Sequence, residues 1–419
     1  MNASEIKKQL FSLNSKGIKY DLERITEAAK RCGNPHLAYK CFHVAGTNGK
    51  GSTCAYLESM LRAHGFRTGL YTSPHILNFE ERYQINGKVI SEQMWLDVYK
   101  DIRHIADDLN LTFFETTTLL AFELFRRLNV QWVVFETGLG GRLDATNIVK
   151  PEVSVITRIA FDHMYLLGKD LATIAREKAG IIKGGIPAVV AFNSDLGVRE
   201  VFKETCLALN APLIEVSSSD ASDVKEIFDG ISFLRKEAKF SVKMTGQYQI
   251  INALLALQAM EQASLMNEAA CVKGLSQTFI PCRFQEIIFK GKKFILDVGH
   301  NPDAADVFVK NLKMRFIKKS LCIVTGIMKD KDYQGIIKKY SEIADTIIFS
   351  RPDVERASAP EDLIRSVSDA TVNKMVCNTI AEAVAAAMDG PHEIICIAGS
   401  FFTVGEACKI MGIDPFARL

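Results

Sequence analysis

The chain has 419 residues, 48% of them hydrophobic and 24% charged, which is enough apolar side chain to bury a large core and to divide into two or three domains. Its 51 basic and 49 acidic residues are well mixed and leave a formal net charge of +2, excluding a broad basic face for nucleic acid. Ten cysteines without a CxxC pair argue against a zinc ribbon or a disulfide framework, so reduced and mostly buried thiols are expected.

The amino terminus, MNASEIKKQLFSLNSK, has no apolar core of signal-peptide length. Apolar stretches such as 254–257 fall well short of the roughly 20 residues of a bilayer span, so a cytoplasmic chain with no membrane partner is expected. Through residue 280, short β-branched or aromatic segments alternate with helical patterns. Strands are expected at 42–45, 69–72, 132–135, 153–157 and 188–191, with helical spacing between them, as in Leu57, Met60, Leu61 and His64. This alternation predicts a parallel sheet flanked by helices. The boundary is expected at 278–285 (TFIPCRFQ), where a helical pattern ends and Pro281 breaks it. Beyond it, strands at 293–297, 321–325, 347–350 and 394–397 and a helix at 304–314 predict a second, smaller α/β domain. A cleft between two such domains collects the loops at strand carboxyl ends and is the natural ligand site.

The sharpest chemical signal is HVAGTNGKGS, residues 43–52, between a predicted strand and a predicted helix. Gly46, Gly49 and Gly51 permit a close-approaching backbone whose amides can surround phosphate oxygens at a helix amino terminus. Lys50 supplies a point charge for the β and γ phosphates, and Ser52 or Thr53 a hydroxyl near Mg²⁺. Gly51, between Lys50 and Ser52, departs from the usual GxxxxGK[ST] spacing. Glu136 closes an apolar strand, where a carboxylate can meet a hard cation or form a cap or an ion pair. His163 follows Asp162 past another strand, as a structural or a metal-binding histidine. Lys178 reads as a solvated helix charge, 329–332 (KDKD) as a solvated loop, and Phe113-Phe114 as a core pair or a ligand contact.

GTNGKGS resembles the nucleotide loop of the Mur ligase superfamily, and the chain is similar to its folate branch, the dihydrofolate synthase/folylpolyglutamate synthase proteins. The matching motifs run almost end to end in the family's order: TSPHI (72–76), ETGLGGRLDATN (136–147), DH (162–163), IAREKAGIIK (174–183), GQYQIINALLAL (246–257), DVGHNP (297–302) and AGSFFTVGEA (398–407). The resemblance implies a P-loop-like ATP- and folate-binding domain at 1–283, with a parallel-rich sheet flanked by helices. A smaller Rossmann-like α/β glutamate-ligase domain follows at 284–419.

By the same resemblance, ATP is bound by Gly46, Thr47, Asn48, Gly49, Lys50, Gly51, Ser52, Asn252, Arg283 and Asp297. Two Mg²⁺ ions are held by Ser52, Ser73, Glu136, His163 and Lys178. Lys178 would be carbamylated, which requires a neutral amine and therefore burial or cationic neighbours. Lys50, Lys178 and His300 would serve catalysis, with His300 and 400–403 on the amino-acid side, and the segment matching 329–332 would face the cleft. Phe114, Asp144 and Ala145 would contact the pterin, and 20–25 (YDLERI) also looks like the bifunctional bacterial group. Two departures stand out: Cys282 precedes Arg283 where the family usually has glycine, and DVGHNP replaces the commoner DGAHNP.

The implied reaction is ATP-dependent joining of L-glutamate to dihydropteroate, tetrahydrofolate or both, through an acyl phosphate, by a monomer. Two alternatives stay open on the sequence: a peptidoglycan-precursor ligase of the same superfamily, and a non-catalytic ATP-binding protein.

Overall fold

The computed structural model describes residues 3–13, 21–227, 230–244, 246, 248–317, 319–367 and 371–417. Tyr20 of YDLERI and Gln247 of the GQYQIINALLAL motif lie outside the described residues.

The first sheet is built from β1 (Lys40–Ala45), β2 (Thr68–Tyr71), β3 (Tyr83–Ile85), β4 (Lys88–Val89), β5 (Trp132–Glu136), β6 (Val153–Ile156), β7 (Ala188–Ala191) and β8 (Leu213–Val216). Their order is β4-β3-β2-β5-β1-β6-β7-β8. The strands from β2 to β8 in that order run parallel, and β3 and β4 add an antiparallel edge. Short runs such as WVVFE and AVVA form central strands because every side chain in them is buried, as a sheet covered on both faces requires. Apolar clusters pack on both sides, one under the helices Glu92–Asp108 and Phe113–Arg127, another under Lys50–Ala63 and Tyr248–Gln262.

The expected alternation fails at residues 222–242, where β9 (Ser222–Ile227), β10 (Gly230–Arg235) and β11 (Ala238–Val242) form a separate antiparallel sheet. Ile231, Phe233, Phe240 and Val242 alternate inward against the main core while Ser232 and Lys239 do not join it. A period of two, read as part of a longer helical and strand alternation, conceals such a hairpin.

The second sheet comprises β12 (Gln285–Phe289), β13 (Lys292–Asp297), β14 (Leu321–Thr325), β15 (Thr346–Phe349), β16 (Asn373–Val376) and β17 (Ile394–Ala398). Its order is β12-β13-β17-β14-β15-β16, parallel except for the edge strand β12. All ten thiols are free, and only Cys32 and Cys377 are not fully buried. Among the described residues no helix is long and apolar enough to cross a membrane.

Candidate active site

Four neighbouring strands, β2, β5, β1 and β6, release their chains at the same carboxyl edge, and each release carries a residue expected at the site. Ser73 follows β2, Glu136 ends β5, the glycine turn follows β1 and His163 follows β6. From the other lobe, β13, β17 and β14 are adjacent, and their carboxyl ends supply His300, Phe401 and Lys331. A cavity of about 460 Å³ lies between these edges, lined among others by Gly46–Gly51, Ser73, Glu136, Asp162, His163, Lys178, Arg283, His300 and Phe401.

Two glycines of the turn are obligatory. Gly46 has φ +145° and a Cβ there would lie 1.8 Å from Thr157 Oγ1; Gly49 has φ +94° and its Cβ would lie 2.3 Å from Asn252 Oδ1. Gly49 caps the helix Lys50–Ala63, whose first-turn amides point into the cavity edge without intrahelical partners. Lys50 Nζ donates to the carbonyls of Gly46 and Thr47, both at 3.3 Å, and Lys178 Nζ donates to the same Gly46 oxygen at 2.7 Å.

Lys178 is not the solvated charge its surroundings in sequence suggest. It is 4% exposed, on the buried face that Ile174, Ala175 and Ala179 form in the helix Leu171–Ala179. Burial, and then the neighbouring Lys50, lower its pKa to about 7, so a large fraction is neutral amine at physiological pH. Glu136 is 5% exposed and accepts from Ser73 N at 3.1 Å. Burial pushes its carboxyl up, and Lys50 and Arg283 oppose that shift.

The KDKD segment also departs from its solvated reading. Lys331 is 8% exposed, donates to Asp162 Oδ1 at 2.7 Å and lies 2.8 Å from His163 Nε2. His300 Nε2 stands 3.4 Å from the other Asp162 oxygen, and the Phe401 ring lies tilted 5.9 Å from the His300 ring. Burial would raise the Asp162 carboxyl, but His300 and Lys331 hold it well below the usual carboxylate range. Burial lowers His163 to about 4, so it is a neutral base with a lone pair to share. Asn48 reaches across to Asp303 Oδ2 at 2.7 Å and exchanges hydrogen bonds with Asn301, and Arg158 pairs with Asp303 at 2.6 Å.

The other expected residues stand back from the cavity. Ser52 Oγ accepts from Gln249 Nε2 at 3.5 Å, and Gln249 Oε1 in turn accepts from Asn252 Nδ2 at 3.1 Å, a buried amide string behind the turn. Asp297 accepts from Gly299 N and Phe284 N at 2.8 and 3.0 Å, so it shapes the Arg283 loop. Cys282 and Phe284 both adopt left-handed φ, +53° and +52°, which explains why glycine suits the position before Arg283. The Arg283 guanidinium sits 5.7 Å over the Phe401 ring.

On the folate side, Asp144 Oδ2 accepts from Gly138 N and Leu139 N at 2.8 and 2.9 Å, and its Oδ1 from Thr146 N at 3.0 Å. Asp144 therefore folds the loop, and Ala145 beside it is buried. The Phe114 ring packs so closely on Gly138 that a Cβ there would lie 2.4 Å from it. Phe113 is a core residue, stacked on Phe11 at 5.7 Å. Sequence reasoning missed Asp162, Lys331, Asn301 and Asp303 as site residues. The available signals were the acidic residue beside His163 and the cationic run after a predicted strand.

A glycine turn at a parallel sheet edge, faced by a second α/β lobe, defines the class: an ATP-dependent ligase of Mur architecture that joins an acid to an amino acid. Residues 44–260 match the family described as "Mur ligase middle domain", and residues 282–401 match "Mur ligase, glutamate ligase domain". The dihydrofolate synthase/folylpolyglutamate synthase of Bacillus subtilis (strain 168) is 33% identical over 424 residues, covering 94% of this chain and 95% of that protein. Mycobacterium tuberculosis folylpolyglutamate synthase complexed with ADP and AMPPCP superposes with a TM-score of 0.91 at 27% identity, covering 99% of each chain. The bifunctional folylpolyglutamate synthase/dihydrofolate synthase of Yersinia pestis, complexed with AMPPNP and Mn ion, gives 0.87 at 32% identity, covering 99% of this chain and 98% of that one. The chain belongs to the dihydrofolate synthase/folylpolyglutamate synthase family.

Proposed function

We propose that this chain joins L-glutamate to dihydropteroate and also to tetrahydrofolate, as a cytoplasmic monomer divided at 283/284. The observation that carries the reading is the convergence of Lys50 and Lys178 on one carbonyl oxygen, that of Gly46, beside a free helix amino terminus. The Lys50 ammonium and the helix amino terminus there favour a polyanion, and the phosphate-bearing nucleotides of the structural relatives are such ligands.

A carboxylate is not electrophilic, so the γ-phosphoryl group of ATP is transferred to the acceptor carboxylate, giving an acyl phosphate and ADP. The amine of glutamate then attacks the acyl carbon, its C–N bond forms as the C–O bond to phosphate breaks, and the amine proton leaves to solvent or a nearby base. Lys50 and the turn amides hold the phosphates in line, which supplies orientation and charge stabilisation. His300 borders the glutamate side, and closure of the two lobes excludes water from the acyl phosphate.

Two Mg²⁺ ions would be supported by Ser73, Glu136, His163 and a carbamylated Lys178, whereas Ser52, bonded to Gln249 behind the turn, does not line the cavity. Glu136 is a buried carboxylate that accepts from the Ser73 backbone amide, and His163 is neutral. Among the described residues no three His, Cys, Asp or Glu side chains are arranged to hold a metal ion by themselves, so phosphate and water oxygens would complete the ligand sets, as Mg²⁺ prefers. The ions would neutralise phosphate oxygens in the transfer.

The test is ADP release by the purified protein with L-glutamate and either acceptor. Turnover on both acceptors, and only when acceptor and glutamate are both present, is expected. ADP release indifferent to either one would overturn the reading.

A further inference from the structure

Lys331 sits in the loop between β14 and the helix Tyr333–Tyr340, in the second lobe, yet its partners belong to the first. Its Nζ donates to Asp162 Oδ1 at 2.7 Å and meets His163 Nε2 at 2.8 Å, with the side chain 8% exposed. Facing this trio are His300, 3.4 Å from Asp162 Oδ2, Asp330, 4.0 Å from His163 Nδ1, and the buried Lys178 amine, which lies within electrostatic reach of Asp162 and Lys331. Burying an ammonium is unfavourable unless partners compensate, so a solvated loop lysine would not be drawn here without a role.

An imidazole nitrogen has one lone pair. While Lys331 donates to it, His163 Nε2 cannot ligate a cation; once a cation is bound, the ammonium must withdraw, because two positive charges at one nitrogen repel. We propose that Lys331 is a positioning residue that holds the cation place beside His163 and Asp162 and yields it to the divalent ion that accompanies ATP. The proposal rests on the reading of His163 as a metal-side residue. On yielding, the ammonium stays tethered to the second lobe beside the phosphoryl oxygens. Metal loading and seating of that lobe are thereby linked, and the linkage is reciprocal.

The test measures Mn²⁺ binding by electron paramagnetic resonance, with AMPPNP present, on the full chain. Lys331→Met keeps the stem and removes the charge; it should bind Mn²⁺ about tenfold more tightly. Its kcat for ligation should fall by about tenfold or more while KM for glutamate changes little. Lys331→Arg keeps a cation and should retain near wild-type Mn²⁺ affinity, which separates loss of charge from damage to the loop. Should the Met variant not fold, Lys331→Gln serves for the same comparison. Unchanged or weaker Mn²⁺ binding in the neutral variant, or equal tightening in the Arg variant, overturns the proposal alone. Wild-type protein that binds no Mn²⁺ with nucleotide overturns both the proposal and the metal reading of the site.

Discussion

Glu136→Gln should separate stability from activity. The carboxylate is 5% exposed and receives one backbone hydrogen bond, from Ser73 at 3.1 Å. Burial raises its pKa above the unfolded value, against the pull of Lys50. A group shifted upward contributes stability that is present below its unfolded pKa and lost as pH rises through the folded one, so at neutral pH the ionised Glu136 weakens the fold. Glutamine keeps an oxygen to accept from Ser73 and removes the buried charge, a gain of about 1–2 kcal/mol at neutral pH. For lobes of this size that is a rise of roughly 2–6 °C in Tm. The gain should shrink as pH falls, because the wild-type carboxyl takes up its proton more readily than an ordinary glutamate. Ligation should fall by about 10²–10³, because the side chain expected to face the cation no longer carries charge. Thermal melts at neutral and at lower pH, with and without Mg²⁺ and AMPPNP, read the first effect, and ADP release reads the second. A lower Tm at neutral pH, or ligation at the wild-type rate, would refute the reasoning.

Gly49→Ala forces a side chain onto φ +94° and to 2.3 Å from Asn252 Oδ1. It should weaken ADP binding by about tenfold or more in calorimetry, since backbone strain alone costs about 1 kcal/mol before the turn is displaced. For Lys178, a pKa lowered to about 7 means its contribution to stability is present above the unfolded value near 10.5 and lost as pH falls toward 7. Lys178→Met should therefore raise Tm more at neutral pH than at alkaline pH, and a ¹³C-bicarbonate NMR carbamate signal in the wild type should grow as pH rises through 7. Asp144→Asn sets an amide against backbone donors at Gly138 and Leu139; a loss of about 2–3 kcal/mol is expected, with KM for the folate acceptor raised and ADP affinity unchanged.

The parallel strands were legible because full burial leaves an unbroken apolar run: WVVFE and AVVA announce themselves without partners. Gly46 and Gly49 were legible for a related reason, since local backbone demands appear in local sequence. Lys178 could have been found by its own period: it stands four residues after Ile174, inside the stripe of Ile174, Ala175 and Ala179. A solvated reading ignored that stripe. The KDKD run by itself reads as a solvated loop, and only the resemblance turns it toward the cleft, because nothing within it records that the partners of Lys331 lie 168 and 169 residues away. Asp144 marks a further limit, since a carboxylate in a family motif reads the same whether it meets a ligand or accepts from three backbone amides. The exchange of glycine for Cys282 was visible as a departure, but only its φ of +53° gives the reason glycine is favoured there.

Charge balance across the cleft accounts for a site divided between two lobes. The first lobe brings Lys50 and Arg283 to the cleft and the second adds Lys331, against the carboxylates of Glu136 and Asp162. An anion held by the first lobe alone would miss Lys331. Held between both, it would meet all three cations in a water-poor space where each is worth more. A ligand that binds the closed arrangement better must also stabilise closure by the same free energy. The Asn48–Asp303 and Arg158–Asp303 contacts join the two lobes beside the glycine turn that leads into the helix Lys50–Ala63. The nucleotide thus supplies the negative charge that makes the closed cleft stable, and the cleft in turn protects the acyl phosphate that the nucleotide creates.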